Sequence, residues 1–153
     1  MRKRDRTHIN YRALADLRFE IRGFLNFSER AARAAGVEPQ QHQALLAIKG
    51  LPPGENSTVR VLADRLQIKH NSAVGLTDRL EANGLIRRNR SSTDRRHILL
   101  KLTRQGDALM RRLSRSHQME LKSAGPRLLR ALMAVISQDA TGEKFAKNRR
   151  LGL

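Results

Sequence analysis

Between Arg87 and Arg104, seven basic side chains (Arg87, Arg88, Arg90, Arg95, Arg96, Lys101 and Arg104) stand against one acid, Asp94, a net charge of +6 within 18 residues. Guanidinium and ammonium groups at that density bind phosphates, and an arginine can also grip the edge of a guanine. Just upstream, Ser72, Gly75, Leu76 and Arg79 recur at i, i+3, i+4 and i+7, the spacing of one helical stripe, with His70 and Asn71 at the start of that helix. These six positions are the candidates for contact with a polyanion. Ser72 and Asn71 offer short hydrogen-bonding groups, Gly75 admits a close backbone approach, and Arg79 can pair with a phosphate or a guanine. Asn71 has a second reading, as a cap on the free N–H groups of the helix start.

Other chemistry finds little support. His8, His42, His70, His97 and His117 are scattered, with no His-Glu-x-x-His pattern and no cysteine, so no metal site is expected. There is no glycine-rich phosphate loop and no carboxylate pairing that marks acid/base machinery, so no catalytic residues and no cofactor are assigned.

The elements that must position the basic groups follow from periodicity. Tyr11, Leu14, Leu17, Ile21, Phe24 and Ser28 step by three and four, the seam of a long first helix that Gly36 ends before Pro39 opens a second. Leu51-Pro52-Pro53-Gly54 breaks that helix. A short helix with Val59, Leu62, Ala63 and Leu66 inward follows, then a turn at Gln67 to His70, then a helix over 71–83 with Val74, Thr77 and Leu80 inward. Residues 85–90 and 97–102 are β-capable runs around a polar segment, a hairpin with a basic loop. Thr103 caps a helix that Gly125-Pro126 is expected to interrupt before a last amphipathic helix through Leu128, Leu132 and Ile136. The polar tail from Thr141 is expected to fray. Two short helices joined tightly and followed by a basic hairpin form a winged helix-turn-helix, whose second helix enters a major groove while the hairpin reaches the backbone or minor groove.

Composition agrees. The chain has 153 residues, a net charge of +17, 39% hydrophobic residues and no cysteine. Such a balance favours a polyanionic partner, excludes disulfides and thiol redox chemistry, and fits a reducing cytoplasm. No apolar signal or run of membrane-spanning length is present, so no membrane partner is expected. The fold class expected is mainly α: a winged helix-turn-helix with a small β-hairpin wing and flanking N- and C-terminal dimerisation helices. Its expected parts are N-terminal helices over 1–50, a DNA-binding lobe over 51–104, C-terminal helices over 105–140 and a basic tail over 141–153.

Leu62-Ala63-Asp64-Arg65-Leu66, Ser72-Ala73-Val74, Leu80-Glu81-Ala82-Asn83-Gly84-Leu85-Ile86-Arg87-Arg88, Asp94-Arg95-Arg96 and Leu102-Thr103-Arg104-Gln105-Gly106 resemble, in order and spacing, the successive signatures of MarR-type regulators. The resemblance is sharpest over 58–106. It implies a homodimeric transcription factor on double-stranded DNA, usually a repressor, whose affinity a small ligand often changes. It also implies that Arg96 enters the minor groove beside Arg95, with Asp94 holding the wing. Gly75 stands where related proteins often present a larger side chain.

Four of the five aromatics, Tyr11, Phe19, Phe24 and Phe27, fall on the first helix, which suits a dimer core. The resemblance adds an effector pocket, for which Tyr11, Arg18, Arg22, Phe24 and His42 are the candidates. The arginines there suit an aromatic or anionic effector such as an acyl-CoA thioester. The function expected is a ligand-responsive repressor binding a pseudo-palindromic operator. The alternative is a basic RNA- or ribosome-associated protein, disfavoured because residues 28–144 hold no aromatic side chain on which bases could stack.

Overall fold

The computed structural model of the chain describes residues 9–91 and 97–148, the stretch 138–148 as backbone alone. The elements run α1 (Tyr11–Ala34), α2 (Pro39–Lys49), α3 (Val59–Leu66), α4 (His70–Ala82), β1 (Ile86–Arg90), β2 (Ile98–Leu102) and α5 (Arg104–Asn148). They group into two compact units, one of residues 28–117 and one of residues 1–27 with 118–153.

In the unit of residues 28–117 the punctuation read from the sequence holds. Gly36, at φ 81°, lies just past the end of α1, and the Val37 N–H closes back on the Ala32 carbonyl at 3.1 Å. Pro39 takes the first turn of α2, where Glu38 and Gln41 form a reciprocal capping box. Thr58 caps α3 by accepting from the Val61 N–H at 3.3 Å. These local devices set three helices in place before any tertiary contact is counted.

Burial then joins them. Leu45 and Ile48 of α2, Leu62 of α3, Leu76 and Leu80 of α4, Leu85, Ile86, Leu100, and Met110 and Leu113 of α5 form one apolar core. The two strands pair antiparallel, Ile86 opposite Leu102 and Arg90 opposite Ile98. Ile86 and Leu100 face the core from adjacent strands, and the Leu100 N–H donates to the Ser57 carbonyl at 2.6 Å, tying the hairpin to the chain ahead of α3.

The hairpin is also joined to α5. The Thr103 hydroxyl donates to the Gly84 carbonyl at 2.6 Å and accepts from the Gly106 N–H at 3.1 Å. Gly106 packs so closely that a Cβ there would sit 2.1 Å from the Leu85 carbonyl oxygen, which no side chain tolerates. The Leu-Thr-x-x-Gly spacing is therefore a packed joint between β2, the turn after α4 and the first turn of α5.

In the other unit, Asn10 accepts from the Ala13 N–H at 3.0 Å and starts α1. Arg127 and Glu20 form an ion pair at 3.4 Å between α5 and α1. Tyr11, Phe19, Ile21, Leu129, Met133 and Ile136 are exposed.

Two expectations for α5 are corrected. Gly125-Pro126 does not divide it: Pro126 lies inside a continuous helix of 45 residues. An interior proline removes one hydrogen bond and costs about 3 kcal/mol, a local loss that the long runs of helical bonds on either side outweigh. The tail expected to fray from Thr141 is helical in its backbone through Asn148, and residues 149–153 lie outside the described residues.

Candidate nucleic-acid interface

The turn between α3 and α4 is three residues, Gln67-Ile68-Lys69, and Gln67 adopts the left-handed conformation at φ 54°. Its N–H bonds back to the Asp64 carbonyl and that of Ile68 to the Ala63 carbonyl, so α3 ends sharply and α4 departs at a fixed angle. The cap of α4 is Lys69, which makes no side-chain capping bond. Asn71 and Ser72 lie inside the first turn with exposed side chains, which removes the capping reading of Asn71.

Ala73, Leu76, Thr77 and Leu80 are the buried side of α4. This corrects the expected inward set, in which Val74 stood in place of Ala73 and Leu76. Val74 is half-buried, and Leu76 is 2% exposed in the core. Leu76 shares its stripe with Ala73 at i−3 and Leu80 at i+4, so it packs inward and leaves the candidate contact surface. His70, Asn71, Ser72 and Arg79 are exposed on α4, and Gly75 is half-buried between them.

The hairpin is locked to this helix by a side chain first counted among the free cations. Arg88 of β1 is 26% exposed and reaches three side chains of α4: the Asp78 carboxylate at 2.6 Å, the Glu81 carboxylate at 2.7 Å and the Thr77 hydroxyl at 2.6 Å. Its own N–H donates to the second Glu81 oxygen at 3.1 Å. The bond to Asp78, followed by that to Glu81, outweighs burial and holds the guanidinium more basic than usual. Thr77 in turn donates to the Val74 carbonyl at 2.8 Å. Arg88 thus neutralises two carboxylates that would otherwise repel phosphates from α4. The sequence signal for this was the spacing of Thr77, Asp78 and Glu81 along one edge of a helix that turns directly into a strand.

Arg87, Arg90, Lys101 and Arg104 are exposed on or beside the hairpin. Asp94, Arg95 and Arg96 lie outside the described residues. Of the effector candidates, Tyr11, Arg18 and Arg22 are exposed and share one stripe of α1 at i, i+7 and i+11, whereas Phe24 falls on another side of the helix and is half-buried. His42 belongs to the other unit and is buried, with its Nδ1 unpartnered. Its ring lies 4.8 Å from that of His117, whose Nε2 is 2.8 Å from the Ser28 hydroxyl. Burial, then the charge of His117, lowers the pKa of His42. Among the described residues no group of three or more His, Cys, Asp or Glu could hold a metal ion, and no helix is long and apolar enough to cross a membrane.

Comparison with known proteins places this geometry. Residues 35–97 match the model of the MarR family. Over 72 residues the chain is 36% identical to the HTH-type transcriptional repressor MdtR of Bacillus subtilis (strain 168), a match covering 47% of this chain and 44% of that protein's length. Among solved structures it is similar to AbsC, a MarR family transcriptional regulator from Streptomyces coelicolor, with a TM-score of 0.63 at 21% identity over 86% of this chain and 87% of the other. It is also similar to a mutant of S. aureus MepR bound to an oligodeoxyribonucleotide, with a TM-score of 0.57 at 17% identity over 94% and 96%.

Proposed function

We propose that this chain is a MarR-type winged helix-turn-helix regulator, a homodimeric repressor that reads a pseudo-palindromic DNA operator with α4 and clamps it with the wing; the match of residues 35–97 to the MarR family model supports this reading. The observation that carries this reading is the outer face of α4. His70, Asn71, Ser72 and Arg79 project there unburied, and the competing carboxylates Asp78 and Glu81 are tied to Arg88. Asp94, Arg95 and Arg96, which fall between β1 and β2 in the sequence, are our candidates for the wing's contact, with Arg96 in the minor groove. The exposed apolar side chains of α1 and α5 support a second copy as the partner that covers them.

The test is selection from a pool of random duplexes with the purified chain, followed by footprinting. The expected product is an inverted repeat whose half-sites are centred about 10 bp apart or a multiple of it, since a two-fold dimer presents two recognition helices. Failure to enrich any duplex overturns the reading, as does light scattering at the mass of one chain at micromolar concentration.

The finer part of the proposal is an aromatic, anionic effector such as an acyl-CoA thioester, held by the α1 stripe of Tyr11, Arg18 and Arg22. Its support is the pairing of an exposed ring with two exposed guanidinium groups. Release of the selected duplex on titration with benzoyl-CoA, lost in Arg18→Ala, is the expected outcome.

A further inference from the structure

Gly75 lies in the interior of α4 with helical backbone, where glycine lowers stability relative to alanine. Nothing among the described residues requires it. A Cβ built there would meet only the Arg79 Nη1, at 3.6 Å, an ordinary van der Waals distance to the far end of a flexible side chain. Gly106 is the opposite case, since its missing Cβ is demanded by the Leu85 carbonyl. A glycine that the folded chain does not need, on the helix face that carries Asn71, Ser72 and Arg79, is explained by something that approaches from outside.

Asp78 is held by Arg88 and so is withdrawn from that face. Arg79 remains, with its guanidinium lying beside the gap that the absent side chain leaves. We propose that Gly75 is the point of closest approach between α4 and the floor of a DNA major groove, a notch that brings the Arg79 guanidinium within reach of the O6 and N7 of a guanine. The inference rests on the DNA-reading function proposed above and assigns its specificity to one glycine and one arginine. Of Asn71, Ser72 and Arg79 on that face, only Arg79 has the fork that matches a guanine edge, and any side chain at Gly75 would lift the helix away from the base pairs by about the thickness of a methyl group.

The test uses the full chain and the duplex that the parent protein selects from a random pool. Gly75→Ala should melt about 2–4 °C higher than the parent, because the substitution relieves helix entropy without a clash. The same variant should bind the selected duplex at least about tenfold more weakly, while its affinity for an unrelated duplex changes less than about twofold. Replacing one half-site guanine by 7-deazaguanine, which lacks the N7 acceptor, should weaken the parent and leave Arg79→Ala unaffected. Undiminished binding of the selected duplex by Gly75→Ala overturns the inference, and so does a variant that melts lower or fails to fold, since the glycine would then serve the fold. So does a parent indifferent to 7-deazaguanine at every half-site guanine. If the parent enriches no duplex, the function itself falls and this inference with it, an outcome distinct from all the others.

Discussion

Arg88 on β1 and Asp78 on α4 meet at 2.6 Å, with Glu81 on the same guanidinium at 2.7 Å, and so the strand that begins the wing is bolted to the helix that faces outward. Arg88→Met should therefore act through architecture. Loss of a half-buried, multiply bonded guanidinium should destabilise the fold by about 1–3 kcal/mol in urea titrations. DNA affinity should fall as the two carboxylates regain their charge, yet the slope of affinity against salt should keep its value, because Arg88 displaces no counterion. A slope flattened by a whole unit would place Arg88 on a phosphate instead.

Arg96→Ala should show the complementary pattern. A guanidinium in a narrow minor groove meets concentrated negative potential, so its removal should weaken binding strongly and flatten the salt slope by about one unit. Ranking among operators changed only at major-groove positions should survive. Ser72→Ala should lose about 1 kcal/mol at particular base pairs with the salt slope unchanged. If Arg96→Ala, as a folded dimer, binds as tightly as the parent across a salt titration, the wing does not touch DNA in this way.

His42 predicts a pH dependence of stability. An unfolded histidine titrates near its ordinary value of 6.5, while burial and the neighbouring His117 hold His42 lower in the folded chain. The unfolded state therefore binds more protons in the window below 6.5, and stability that is fully present above that value is lost as the pH falls through the folded pKa. Urea midpoints at neutral pH and below pH 6 should separate for the parent and converge for His42→Leu. An equal separation in both proteins would assign the dependence elsewhere.

Gly106→Ala should be among the most damaging single changes in the lobe. The added Cβ falls on the Leu85 carbonyl oxygen, so backbone must move, a strain of about 1–3 kcal/mol or more. Thermal melting of Gly106→Ala beside Gly75→Ala makes an internal control, because the same chemical change should lower one midpoint and raise the other.

Much of the lobe was legible because its signals are local. Pro39, Gly36 and Thr103 act within one turn of themselves, and the hairpin strands are β-capable runs around a polar segment. The inward face of α4 was harder: Ala73 is too small to carry much hydrophobic signal, so Val74 took its place in the pattern and Leu76 was pushed outward. Pro126 misled for a different reason, since a breaker's effect depends on how much helix surrounds it. Arg88 was missed as a structural residue, because charge counted along a strand does not show the carboxylates that another element brings to it; the signal lay on α4, in the spacing of Thr77, Asp78 and Glu81. On α4, His70, Asn71, Ser72 and Arg79 are exposed as the spacing predicts, and Leu76, expected beside them, is buried.

The bolt between Arg88 and α4 also limits how this protein could be re-engineered. Grafting a foreign recognition helix over residues 70–82 would discard Thr77, Asp78 and Glu81 and strand Arg88 against partners it does not fit. A graft that keeps those three positions, or one that imports helix and first strand together as a cassette over 70–90, preserves the attachment. The smallest interchangeable piece of this reading head is therefore a helix with its strand.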